Sequence, residues 1–146
     1  MKTKSTVLVA VLTGFLMASV SLFAHHGTGV AYDMHKLVVL KGVVTKFVMA
    51  NPHSQLYFDV TDDQGNVGHW AAEMRNPLTL EAHGHTRKEL TQKLAPGTTL
   101  TVTGNPSKAG TPVLAFGKAV TADGWCLCNH EGGIGVDAPG ATPAPE

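Results

Sequence analysis

The sequence lacks the excess of basic residues on which nucleic-acid binding depends. Its 11 Lys and Arg are balanced by 11 Asp and Glu, so the formal net charge at pH 7 is zero. Proteins that bind nucleic acid neutralise phosphates with clustered Lys and Arg side chains. A near-neutral chain fits such a partner poorly, and we therefore predict no nucleic-acid partner.

The motifs that identify common enzyme classes are also absent. The chain contains no GxSxG nucleophile elbow, no phosphate-binding glycine loop, no Rossmann fingerprint and no HExxH. His69 and Glu73 would lie on one face of a strand, but an exposed pair of this kind usually belongs to an ordinary surface. The sequence therefore favours a binding or structural role over catalysis.

Cysteine is scarce, since Cys126 and Cys128 are the only two in the chain. A disulfide between residues two apart would be strained and easily reduced, and its loop is too small to stabilise the fold much. Alternatively, the two thiolates and His130 are soft ligands suited to Cu(I) or Zn(II). Structural zinc sites usually have four ligands at wider spacing, so the sequence leaves both alternatives open.

No apolar run is long enough for an ordinary transmembrane helix. The longest, Val7–Leu22, has 16 residues, whereas a span needs about 20. Two lysines before this run and Ala24 after it fit a secretory signal peptide over residues 1–24, with a retained anchor as the alternative. We predict a periplasmic or secreted protein without a membrane span after signal removal. Its mature chain would start at His25.

The mature chain divides into four predicted segments. Cleavage would leave nine Lys and Arg against eleven Asp and Glu, a formal charge of −2. Residues 131–146, the last of the four segments, are rich in Gly, Pro and Ala and are expected to be disordered. The segments are an N-terminal arm (25–36), a β-barrel domain (37–122), a Cys-x-Cys-x-His segment (123–130) and the tail (131–146).

Runs of β-branched and alternating apolar residues predict five strands. Gly42 within the first is expected to mark a bulge or sharp bend, and residues 105–111 are expected to form a polar loop. Helix-capping patterns before Pro77 and at Thr86 predict two short helices after the third strand. The predicted strands are Leu37–Met49, Gln55–Thr61, Val67–Met74, Thr98–Thr103 and Val113–Thr121.

This order predicts an all-β fold with a short helical insert. Five strands with a helix between strands 3 and 4 are typical of a five-stranded, OB-fold-like barrel. A β-sandwich is the alternative, but it accounts less well for the helical insert.

Several short motifs support the same fold through a resemblance. They are HHG starting at His25, YD at Tyr32, LKGVV at Leu40, NPH at Asn51 and WAAE at Trp70. On these residues, over roughly 25–121, the chain resembles a family of small exported bacterial proteins of unknown function (DUF6152). The resemblance implies an OB-like fold and export, and it implies no activity.

A mature N-terminal histidine predicts a metal site. The free amine and the ring Nδ1 of His25 can chelate one ion, and a second imidazole would complete a T-shaped histidine brace. His26, His35 and His53 are the candidates for that second imidazole. Nitrogen ligands bind Cu(II) most tightly among divalent first-row metals, so copper is the first choice and zinc the second. Alternatively, the paired histidines are incidental, and His53 only bonds backbone groups at the turn.

The outer face of strands 2 and 3 is a second candidate site, because OB-folds usually bind ligands there. Its predicted ligand-binding residues are Gln55, Tyr57, His69 and Glu73. A single aromatic residue on a face with acidic residues does not suit single-stranded nucleic acid. The alternative function is therefore a metal-free structural or interaction module of the cell envelope. This face would then bind a small polar ligand or an envelope protein.

Overall fold

Six strands and three short helices make up residues 28–128, the part of the chain that the computed structural model describes. The predicted signal peptide (1–24) and tail (131–146) lie outside these residues. The helices are α1 (Thr28–Ala31), α2 (Pro77–Ala82) and α3 (Arg87–Lys93). The strands are β1 (Val38–Val48), β2 (Gln55–Thr61), β3 (Val67–Glu73), β4 (Thr99–Pro106), β5 (Val113–Thr121) and β6 (Cys126–Cys128).

The strands form one sheet in the order β3-β2-β1-β4-β5-β6. All of these neighbours are antiparallel. A parallel pairing of β3 with β5 closes the first five strands into a barrel, and α2 and α3 lie in the chain between β3 and β4. The predicted all-β fold, an OB-like barrel with a short helical insert, is confirmed.

Alternation along the strands fills the barrel. Leu56 and Phe58 of β2 are fully buried, whereas Tyr57 between them is 38% exposed. The helical insert adds Leu80 and Leu90 to the same core. Among the described residues, no helix is long and apolar enough to cross a membrane. Both helices start at the predicted caps: Asn76 Oδ1 accepts from the Thr79 N–H, and Thr86 Oγ1 accepts from the Glu89 N–H.

The irregularity predicted at Gly42 lies elsewhere in β1. The register with β2 shifts between Val44 and Lys46, so the bulge falls at Thr45. Gly42 itself lies where β2 approaches closely, because a Cβ placed on it would be 2.6 Å from the carbonyl oxygen of Asp59. Its lack of a side chain therefore permits close strand packing.

The predicted polar loop after strand 4 is partly wrong, because β4 continues through Asn105 and Pro106. Asn105 is buried, and its amide donates to the carbonyls of Lys36 and Asp33 at 2.7 and 3.3 Å. A polar side chain is tolerated there because the N-terminal arm supplies its hydrogen-bond partners. Strand β6 was also not predicted.

The described part of the N-terminal arm packs against the barrel. Tyr32 pairs with Ser107 in an isolated β-bridge and is buried, with 7% of its surface exposed. The Asp33 N–H donates to the Pro106 carbonyl at 2.9 Å, and the Lys108 N–H donates to the Ala31 carbonyl at 3.0 Å. The β4–β5 hairpin thus holds the arm in place.

Candidate functional site

A cavity of about 330 Å³ lies at the barrel rim. We call it the rim cavity. It is bounded by the arm, the corner after β1, the helical insert and residues of β3, β4, β5 and β6. Part of its wall is apolar, from Met34, Met74, Leu80, Phe116 and Leu127. The polar side chains that converge on it include Tyr32, His53, Glu73, Asn105, His83 and His85.

A carboxylate joins two of these groups across the rim. The Tyr32 hydroxyl donates to Oε2 of Glu73 at 2.6 Å, and Oε1 of Glu73 forms a short contact with Nδ1 of His53. The His53 side chain is 53% exposed and that of Glu73 is 28% exposed. The arm, the corner and β3 are therefore linked through Glu73, while Nε2 of His53 is the ring nitrogen left for a ligand.

The strand register explains why these residues meet. Gln55 at the start of β2 pairs with Glu73 at the end of β3. The segments that adjoin this pair, before β2 and after β3, stay hydrogen-bonded: the Ser54 N–H donates to the Arg75 carbonyl, and the Met74 N–H donates to the Ser54 carbonyl. The corner that contains His53 is thereby fixed beside Glu73.

The helical insert contributes two further imidazoles. His83 Nδ1 lies 2.7 Å from the Thr79 carbonyl oxygen, at the end of α2. The His85 ring meets Trp125 edge-on, with 6.2 Å between ring centroids. Trp125 in turn donates through Nε1 to Glu89 at 2.8 Å, which connects α3 to the segment before β6.

A separate groove runs over the outer face of β1, β2 and β3. We call it the outer groove, and its lining includes Lys46, Tyr57, Asp59 and His69. His69 Nδ1 lies 2.7 Å from Asp59 Oδ1, so the barrel carries a second histidine–carboxylate pair. This second pair is more open, because the His69 side chain is 82% exposed.

Strand β6 carries a disulfide between Cys126 and Cys128. The strand pairs with β5, so that Cys128 lies opposite Lys118 and Cys126 lies opposite Val120. Cys128 also lines the rim cavity, and Leu127 between the cysteines is buried in the core.

The family follows from a sequence comparison. A model of a family of unknown function, DUF6152, matches residues 14–114. The chain belongs to DUF6152. The match includes Tyr32, His53 and Glu73 and ends before β6. Comparisons with curated proteins and with solved structures found no match.

The metal ligands predicted for this DUF6152 protein are only partly within the described residues. His25, His26 and His130 lie outside them. His35 is exposed in the arm and does not line the rim cavity, whereas His53 does. Cys126 and Cys128 are joined to each other, a form without thiolates. Within residues 28–128, no three His, Cys, Asp or Glu side chains form a group that could hold a metal ion.

The predicted ligand face of the DUF6152 barrel is divided between two places. Tyr57 and His69 line the outer groove, whereas Glu73 turns to the rim cavity under the arm. Gln55 is half-buried beside Glu73 in the strand pairing.

The residues that sequence reasoning missed are those that act over long separations. Tyr32 and Asn105 connect the arm to the barrel across 41 and 69 residues. His83 and His85, which line the rim cavity, were not among the predicted site residues. The buried position of Tyr32 had one available signal, since it is the single aromatic residue of the arm apart from the histidines.

We expect the stability of the Tyr32→Phe variant to fall less with rising pH than that of the wild type in the alkaline range. Burial and then the hydrogen bond and charge of Glu73 raise the pKa of Tyr32 well above its usual value. Because the folded-state pKa is the higher one, this contribution is complete below the unfolded pKa of about 10 and is lost as the pH rises above it. Thermal melts from pH 8 to 11 should show the loss in the wild type and a smaller one in the variant. If the melting temperature falls equally with pH in the wild type and the variant, the prediction is wrong.

Proposed function

We propose that this DUF6152 protein is an exported binding protein that holds a transition metal at the rim cavity. Copper is the first choice and zinc the second. The ligands would be Nε2 of His53 together with the amine and ring of His25. The observation that carries the proposal is the contact of His53 Nδ1 with a carboxylate that Tyr32 holds in turn.

A histidine that binds a metal through one nitrogen usually donates its other N–H to a carboxylate or carbonyl. That partner fixes the tautomer and orients the ring, and Glu73 has this position relative to His53. The ring is more than half exposed, so a ligand can approach Nε2. The thioethers of Met34 and Met74 on the cavity wall are soft donors that suit Cu(I).

The length of the arm supports a role for His25. Cleavage after Ala24 leaves three residues before Thr28, which begins α1. Three residues span at most about 11 Å, and Tyr32 anchors the chain at the rim only four residues beyond Thr28. This short tether limits how far His25 can lie from the docked arm, and for that reason we propose His25 as the partner of His53, with His26 and His35 as the other candidates.

Copper binding by correctly processed protein tests the proposal. Mass spectrometry should first give a mature chain that starts at His25, and we expect about one copper per chain to remain after dialysis. His53→Ala should weaken copper binding at least tenfold, because it removes one of three ligands. An additional residue before His25 should weaken it similarly, since the free amine is displaced.

His69→Ala is the matched control, because it removes the imidazole of the other histidine–carboxylate pair. It should leave copper affinity within about twofold of the wild type. A different mature N-terminus, or equal copper affinities for the His53 and His69 variants, would overturn the proposal. Titration with zinc on the same variants decides between the two metals.

The outer groove supports a second candidate, a metal-free interaction module of the cell envelope. Tyr57 is exposed there beside the Asp59–His69 pair, and aromatic side chains flanked by polar groups are common at binding surfaces. An envelope protein or a small polar ligand would bind. Tyr57→Ala should then abolish crosslinking to the partner in intact cells, whereas His53→Ala should not.

A further inference from the structure

We propose that the Cys126–Cys128 disulfide is a thiol–disulfide exchange site that accepts two electrons from a dithiol. This disulfide does not crosslink distant segments of the chain, because its two cysteines are two residues apart on one short strand. The proposal is independent of the metal site.

The fold does not need this disulfide. A bridge between such close residues removes little freedom from the unfolded chain. Other contacts hold β6: Leu127 is 1% exposed in the core, the strand pairs with β5, and the Thr121 N–H donates to the Trp125 carbonyl at 2.9 Å. The Trp125 indole is fixed separately by Glu89.

The position of the two sulfurs suits exchange. Side chains alternate along a strand, so the burial of Leu127 turns both cysteines to the opposite face, where they are partly exposed. Lys118 lies directly opposite Cys128, and side chains of such a cross-strand pair approach within about 5 Å at Cβ. Its ammonium group is therefore well placed to stabilise a thiolate that leaves from Cys128.

The reaction balances without another reactant. A thiolate of the dithiol attacks Cys126 Sγ, the Cys126–Cys128 bond breaks, and Cys128 leaves as a thiolate beside Lys118. The second thiol of the dithiol, after loss of its proton, attacks the mixed disulfide and releases Cys126, which takes up a proton. The dithiol is oxidised to a disulfide, Cys126 is reduced to a thiol, and Cys128 is reduced to a thiolate that replaces the thiolate of the attacking dithiol.

Thiol trapping with the full mature chain tests the exchange. We expect a reduced dithiol peptide to become oxidised in a 1:1 reaction while the protein gains two thiols. The double variant Cys126→Ser/Cys128→Ser should not react. The melting temperature of the reduced protein should stay within about 2 °C of that of the oxidised protein. A disulfide that resists the peptide, or whose reduction unfolds the barrel, would overturn the proposal.

The lysine has a test of its own. Lys118→Gln should slow the reaction with the peptide about threefold, because the leaving thiolate loses a nearby positive charge. Lys41→Gln is the matched control and should react at the wild-type rate. Lys41 is an exposed lysine on β1 and lies opposite Thr101 of β4. Equal rates for the two variants would remove Lys118 from the proposal. Reduced protein that fails to reduce a disulfide peptide, and that binds one copper more than the oxidised protein does, would replace exchange with metal binding at the cysteines.

Discussion

Replacement of Gly42 by alanine is expected to destabilise the barrel by about 3 kcal/mol. The added Cβ would lie 2.6 Å from the carbonyl oxygen of Asp59 and 2.9 Å from Cδ2 of Phe58. Neither neighbour can move easily, because Asp59 is paired on both sides within the sheet and Phe58 is fully buried in the core. The strands β1 and β2 must therefore separate locally, which weakens both the pairing and the packing.

Urea unfolding of Gly42→Ala and Gly68→Ala would measure this effect. Gly68 is also a strand glycine, but the atom nearest to a Cβ there would be the indole Nε1 of Trp70, at 3.3 Å, and the nearest backbone atom, the Val60 carbonyl oxygen, lies at an ordinary contact distance of 3.7 Å. That side chain is only partly buried and can shift, so Gly68→Ala should change the free energy of unfolding by less than about 1 kcal/mol. Equal effects of the two substitutions would show that close approach at Gly42 is not the cause.

The barrel was predictable because its signals are local. Alternation from Gln55 to Thr61 and the run from Val113 to Thr121 predicted β2 and β5 with the bounds that the structure has. The position of the bulge was not predictable, since it depends on how β1 pairs with two neighbours at once. Asn105 is polar and precedes proline, so its local pattern favours a loop, whereas the arm's carbonyls make its burial in β4 acceptable.

The candidate site was predicted as separate parts. His53 was assigned to a metal site and Glu73 to an outer ligand face, because the sequence places them 20 residues apart. Their contact depends on the register that sets Gln55 against Glu73. The role of Tyr32 depends on a hydrogen bond across 41 residues and on the docking of the arm, and neither leaves a local pattern.

Glu73→Gln is expected to affect the arm and the proposed metal site together. The substitution keeps the size of the side chain and removes the charge that holds His53 and Tyr32. Loss of such a carboxylate typically lowers metal affinity about 10–100-fold, and we expect a loss of that order for copper. The pKa of Tyr32 should also move down toward its usual value. Burial is the largest cause of its rise, and the hydrogen bond and charge of Glu73 are the next largest.

Asp59→Asn is the matched control for this substitution, because it neutralises the carboxylate of the other histidine pair on the neighbouring strand. It should leave both copper affinity and the absorbance titration of Tyr32 unchanged. A Glu73 variant that lowers the Tyr32 pKa but keeps full copper affinity would leave Glu73 as the anchor of the arm alone. Loss of copper affinity with an unchanged tyrosine titration would contradict the shared contact instead, because the same carboxylate joins Tyr32 and His53.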